Sequence, residues 1–286
     1  MYERFYQLRE KPFALAPDAA YLYLAKRHQH ALTMLEYVLG EASGFALITG
    51  EVGCGKTIVV NYFLEKVERL LNVGFLTNTH PGIGSVLPWI LEALGLEFAN
   101  TSPGEMYQRL VQYARHEYQC GRRLVLVVDE AQNLGMAGLE ELRVLSNVNS
   151  GKELFVQTIL VGQPELRDLL RRHSMRQFAQ RILMEYHLDA LRPEETAAYI
   201  RHRVQVAGGD QHLFSSDALD LIHTSTGGVP RLINIICDTA LVYGFADQHP
   251  RIDVTVVQQV IADRAAGGLL PLGGTPQARG AAVANG

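Results

Sequence analysis

Eight residues constrain this chain more than any others. Residues 50–57 read GEVGCGKT and follow directly on the apolar run FALIT. Every fixed position of the pattern G-x-x-x-x-G-K-[ST] is filled, by Gly50, Gly55, Lys56 and Thr57, and Gly53 adds further backbone freedom. Glycines let a loop curl until successive N–H groups point inward at phosphate oxygens. A helix that starts at the end of such a loop aims its positive dipole end at the same place. An apolar strand before the loop and an amphipathic helix after it (Val59, Val60, Phe63, Leu64, Val67) supply the context the pattern requires and set it apart from a chance glycine turn. The whole stretch is therefore expected to cradle nucleotide phosphates: Gly50, Glu51, Val52, Gly53, Cys54, Gly55, Lys56, Thr57 and Ile58. Lys56 is expected at the β- and γ-phosphates and the Thr57 hydroxyl on Mg²⁺. Cys54 sits at a variable position, where filler is the simpler reading than a redox thiol.

A second element turns binding into chemistry. RLVLVVDE, residues 123–130, is an all-apolar strand ending in two acids. Asp129 is placed to hold the Mg²⁺ hydration shell, and Glu130 to take a proton from an attacking water as general base. A DE pair after a strand is weak by itself, because acids often end strands at a surface; beside a phosphate loop it is specific.

The rest of the chain alternates in the same manner. Strands are expected at 44–49, 73–78, 123–130, 155–162 and 184–188, with helices near 27–40, after Lys56, and near 84–94, 104–120, 138–147 and 165–172. The strands are apolar on both faces, which predicts a mostly parallel sheet covered on both sides. After Leu191 the alternation stops, and RPEETAAYIRHRVQVAG, SSDALDLIHTST, GVPRLINIICDTALVYGFA and DVTVVQQVIADRA all show helical spacing. Pro193, Pro230 and the Ser215/Ser216 pair mark helix starts. The tail from about Gly267 is rich in Gly, Pro and Ala and is expected to be disordered.

Composition excludes several classes. The net charge is −4, so no global positive field points to nucleic acid. Three widely spaced cysteines argue against a disulfide framework or a zinc site and fit a reducing compartment. The charged opening residues are not a signal peptide, and no apolar run is long enough to span a bilayer. A cytoplasmic location follows as the expectation, peripheral at the inner membrane where a membrane protein is the partner.

Taken together, the phosphate loop, VVDEAQ, TILVGQPEL, the arginine cluster after it and GGVPRLIN resemble an AAA+ ATPase. The lead FYQLREKPFALAPD…YLYLAKRHQHAL, with DEAQNL, LVGQPEL and GGVPRLIN, is similar to the ExeA branch that serves general secretion. ATPases of transposition, of the TniB and MuB kind, share the core but match the aromatic lead less well. The resemblance implies a P-loop NTPase three-layer α/β sandwich followed by a small all-helical lid. It divides the chain into a lead (1–25), a nucleotide-binding α/β domain (26–191), the lid (192–265) and the tail (266–286). It also implies ATP and Mg²⁺ as cofactors, a homo-oligomer, and roles for further residues. Gln163 matches the first sensor of γ-phosphate, and Arg231, in the first turn of a helix begun by Pro230, matches the second. Arg181, then Arg176, match the finger that reaches a neighbouring subunit's nucleotide.

Three functions are consistent with these residues. The first is an ATP-driven motor or switch acting on an envelope-associated secretion or export partner. Such proteins usually continue into a membrane span and a peptidoglycan-binding domain, neither of which is expected within residues 1–286, so direct cell-wall remodelling is not the expected activity. The second is an ATP-dependent DNA-binding module, supported by the basic run 167–181 and opposed by the acidic balance. The third, a small-molecule kinase, is disfavoured by the acid pair, which suits water as the acceptor.

Overall fold

A computed structural model of the protein describes residues 1–16, 19–40, 44–67, 71–77, 79, 84–148 and 155–267. Most of the glycine- and proline-rich tail expected to be disordered lies outside these residues, as do Asn78 and His80.

The described residues fall into two compact units. The first, Lys26–Asp189, is the α/β unit. In chain order it holds α1 (Lys26–Gly40), β1 (Phe45–Thr49), α2 (Lys56–Val67), β2 (Leu71–Leu76), α3 (Leu87–Ala93) and α4 (Pro103–Gln119). These are followed by β3 (Arg123–Val128), α5 (Gly135–Leu145), β4 (Val156–Gly162), α6 (Pro164–Leu170), α7 (Arg176–Ala179) and β5 (Ile182–His187). The five strands run in the order β2-β3-β4-β1-β5, and every pairing is parallel. Each residue of β1 and β4 is buried, as are the last five of β3, which is why those segments are mainly apolar, with Thr49, Gln157 and Thr158 as buried polar exceptions. Residues 84–86, expected to be helical, precede α3, which begins at Leu87 with Pro88 in its first turn. Strand β5 begins at Ile182, two residues earlier than its short apolar signature suggests.

Register places the site. Thr49 at the end of β1 lies opposite Gly162 of β4 and His187 of β5, while Val128 of β3 lies opposite Leu160 of β4. The carboxyl ends of four strands thus open on one edge of the sheet, the position where α/β folds hold ligands. Strand β4 stands between the loop-bearing β1 and the acid-bearing β3.

The second unit holds Met1–Ala25 and the residues from Ala190 onward. Its helices are α8 (Pro193–Val206), α9 (Ser216–Thr226), α10 (Pro230–Ala246) and α11 (Val254–Gly267). Ser215 caps α9, accepting the N–H of Ala218 at 3.2 Å. The aromatic lead is part of this unit's core: Tyr2, Tyr6, Leu8, Phe13 and Tyr21 are buried in one cluster with Ile200, Ile236 and Val257. The Tyr2 hydroxyl donates to Asp238, and the ring of Phe13 meets that of Phe214 edge-on at 5.9 Å. Arg203, buried on α8, ties the lead down. Its guanidinium donates to the carbonyls of Pro12 and Ala14 and lies over the ring of Tyr21 at 4.8 Å.

Candidate functional site

The phosphate loop has the shape its glycines allow. Gly53 and Gly55 take φ of 83° and 91°, a region that side chains rarely enter. Gly50 is required for a different reason. A Cβ there would stand 2.4 Å from the carbonyl oxygen of Leu188, just past the end of β5. The loop root is held on both sides, by Gly50 N–H on the Gly162 carbonyl at 3.2 Å and Leu188 N–H on the Thr49 carbonyl at 2.7 Å. Thr49 Oγ1 also pairs with His187 Nδ1 at 3.0 Å, His187 Nε2 lies 3.8 Å from Asp189, and Asp189 pairs with Arg27 at 2.6 Å.

Helix α2 begins at Lys56 and so directs its N-terminal N–H groups at the loop. The Lys56 ammonium is only 5% exposed and donates to the carbonyls of Gly50 and Glu51 at 2.8 and 3.0 Å. Thr57 Oγ1 donates to Asp129 Oδ2 at 2.8 Å. Cys54 is buried inside the loop, and burial pushes its thiol up to about 11. A thiol so protonated is a poor nucleophile, in keeping with filler. His28, on α1, is buried with its Nε2 facing Gly55.

The acid pair follows β3 in a tight turn. Asp129 N–H donates to the Leu76 carbonyl at 2.9 Å, and Asp129 Oδ1 accepts the N–H of Glu130 at 2.9 Å. Glu130 has φ 50° and ψ 41°, a left-handed conformation uncommon outside glycine and concentrated at functional sites. Thr79 braces the turn, its hydroxyl reaching the carbonyls of Asp129 at 2.8 Å and Glu130 at 3.0 Å.

Gln163, at the end of β4, donates from Nε2 to Glu130 Oε2 at 2.9 Å. A third residue completes this group. Gln132 Nε2 donates to the same oxygen, and Gln132 Oε1 accepts the backbone N–H of Gln163 at 3.1 Å. Gln132 closes the DEAQ segment, but the sequence alone gives its side chain no role. Gly162 makes room for it, since a Cβ at that glycine would stand 2.7 Å from Gln132 Oε1.

The structure thus brings Gly50–Lys56 and Thr57 together with Asp129, Glu130 and Gln163 at one sheet edge. The arginine candidates lie elsewhere on their units. Arg181 donates to the Arg143 carbonyl at 3.0 Å and to Ser146 Oγ, closing the end of α5. Arg176 is exposed, on a cleft of about 530 Å³ that it lines with Arg167, Arg171, Arg172 and His173. Arg231 is exposed in the first turn of α10, in the helical unit.

Known proteins share these features. Residues 40–170 match the AAA domain family. General secretion pathway protein A of Aeromonas hydrophila is 39% identical over 247 residues, covering 86% of this chain and 45% of that protein; the chain thus spans less than half the length of that relative. Among solved structures, the ORC2 protein of Aeropyrum pernix with bound ADPNP and ADP superposes with a TM-score of 0.67 at 17% identity, covering 90% of this chain and 72% of that one. The RuvB Holliday junction branch migration motor of Thermotoga maritima gives 0.52 at 16% identity, covering 83% and 67%. At such identities the two structures speak for the fold alone.

Proposed function

We propose, since this chain carries an AAA+ ATPase domain of the type found in general secretion pathway protein A, that it binds and hydrolyses ATP and works as a homo-oligomeric motor or switch on an envelope-associated secretion or export partner. The observation that carries the ATPase part is the 2.8 Å hydrogen bond between Thr57 and Asp129, with Glu130 next in the chain.

The loop N–H groups and the start of α2 receive the phosphates, and Lys56 exchanges the carbonyls of Gly50 and Glu51 for phosphate oxygens. Thr57 and Asp129 offer two hard oxygens side by side, a donor set that suits Mg²⁺, which takes one or two protein groups and completes its shell with phosphate and water. When bound, the ion neutralises charge on the β- and γ-phosphate oxygens. Glu130 accepts the proton of the attacking water, and Gln163, which donates to that carboxylate, serves as the first sensor of the γ-phosphate. Arg231 serves as the second sensor. Of the two finger candidates, Arg176 is the better supported, because it is exposed whereas Arg181 closes α5 of its own chain.

Among the described residues no helix is long and apolar enough to cross a membrane. We place the work at the cytoplasmic face of the inner membrane on the likeness to general secretion pathway protein A. The test is phosphate release from ATP with Mg²⁺, sized with and without nucleotide, for wild type and Arg176→Ala. Assembly without turnover in the variant supports a finger acting across subunits; absence of ATP turnover by the wild type in every assembly state overturns the motor reading.

A second reading, ATP-dependent DNA binding, is favoured by the arginine-lined cleft beside β5. Several phosphate contacts there would make affinity fall steeply with salt. DNA affinity that is weak at low salt and flat across salt concentration excludes it.

A further inference from the structure

Glu130 is one of the few described non-glycine residues with positive φ, and its carboxylate is held by two amides rather than by a cation. Both donate to the same oxygen, Oε2. Among the hydrogen bonds of the described residues none reaches Oε1, which leaves that oxygen to accept the proton of the attacking water. A carboxylate with one oxygen fixed by two donors has a defined plane and a defined free lone pair, which is what proton abstraction needs.

The orientation of the Gln132 amide follows from its other partner. A backbone N–H can only donate, and the N–H of Gln163 lies 3.1 Å from the Gln132 side chain. The atom facing it must therefore be the carbonyl oxygen, and the NH₂ must face Glu130. The space for this arrangement exists because position 162 has no side chain. Gln132 thus joins two strand ends: its carbonyl reads where β4 stops, and its NH₂ sets the carboxylate that follows β3.

We infer that Gln132 is a positioning residue for hydrolysis. It acts through Glu130, holding that carboxylate in the orientation that receives the water proton, and it links the orientation to the main chain of Gln163. The inference rests on Glu130 being the base.

Two variants separate the roles of the amide. Gln132→Glu keeps an oxygen for the Gln163 N–H but sets a second, repelling carboxylate where the donor to Glu130 stood; Gln132→Ala removes both bonds. Charge-assisted hydrogen bonds of this kind correspond to about a 10- to 100-fold change. Both variants are expected to lose kcat by about that factor while ATP affinity stays within about twofold. Capture of ADP–aluminium fluoride, which resembles the reacting phosphoryl group, is expected to weaken with kcat. In a Glu130→Gln background, Gln132→Ala is expected to cause no further loss of that capture. Full kcat in Gln132→Ala, or an ATP affinity that falls as far as kcat, would overturn the inference. So would losses that add in the double variant. If Glu130→Gln itself turns over ATP normally, the base assignment fails and the inference falls with it. If Glu130→Gln is inactive and the Gln132 variants run at full rate, the inference fails alone.

Discussion

The hydroxyl of Thr57 lies 2.8 Å from a carboxylate oxygen of Asp129, a residue 72 positions further along the chain. Thr57 lies in the first turn of α2, which the loop after β1 leads into, and Asp129 follows β3; β4 lies between those two strands. Their meeting is a property of the sheet order, and every expectation for the site depends on it.

Lys56→Ala removes the one ammonium in the loop. On the proposed function its bonds to Gly50 and Glu51 would give way to bonds with phosphate, so the alanine variant should lose at least about 100-fold in ATP affinity. Equilibrium titration with a fluorescent ATP analogue measures it. Affinity close to wild type would discard the phosphate cradle.

Glu130→Gln keeps an oxygen for the Gln163 amide but cannot accept a proton. ATP binding should persist while steady-state phosphate release falls by about 10²–10⁴. Unchanged release would remove Glu130 as the base.

Arg203→Ala takes away the group that holds Pro12, Ala14 and Tyr21 against α8. The buried Pro12 and the exposed Ala14 lose the donor to their carbonyls and a cavity opens, a cost of about 2–4 kcal/mol. The denaturation midpoint should drop, and trypsin should cut sooner after Arg4 and Arg9. Arg203→Lys should recover only part, because an ammonium lacks the planar fork.

Glu117 is held below the usual carboxylate range, first by its hydrogen bonds from Arg122 and then by Asn72, against the opposing effect of burial. A depressed folded-state value means that the stabilisation is complete above the unfolded value near pH 4.3 and is lost as pH falls through the folded one. Unfolding free energy measured between about pH 5 and 3 should therefore decline less steeply in Glu117→Gln than in wild type. Parallel curves would show that the Arg122–Glu117 pair carries no linkage.

What could be read from the sequence was what is local. The phosphate loop declares itself because its residues are consecutive, and β1, β3 and β4 because burial on both faces leaves mainly apolar runs. Gln132 was illegible because its role exists only once β3 and β4 lie side by side and bring Gln163 within 3.1 Å. Arg181 looked like a free charge in a basic run, yet its partners are the carbonyl and hydroxyl at the end of α5, 38 and 35 residues away. The aromatic lead offered no periodicity to place it; its partners, such as Asp238 for Tyr2, are 236 residues off.

That last separation bears on how the chain is made. The lead leaves the ribosome before any of the α/β unit, and α8–α11 leave after all of it. Tyr2, Tyr6 and Phe13 must therefore wait, uncovered, while an entire neighbouring unit is synthesised and folds. During that interval the nascent chain displays its stickiest aromatic segment with nothing of its own to shelter it, which makes those residues a natural foothold for chaperones.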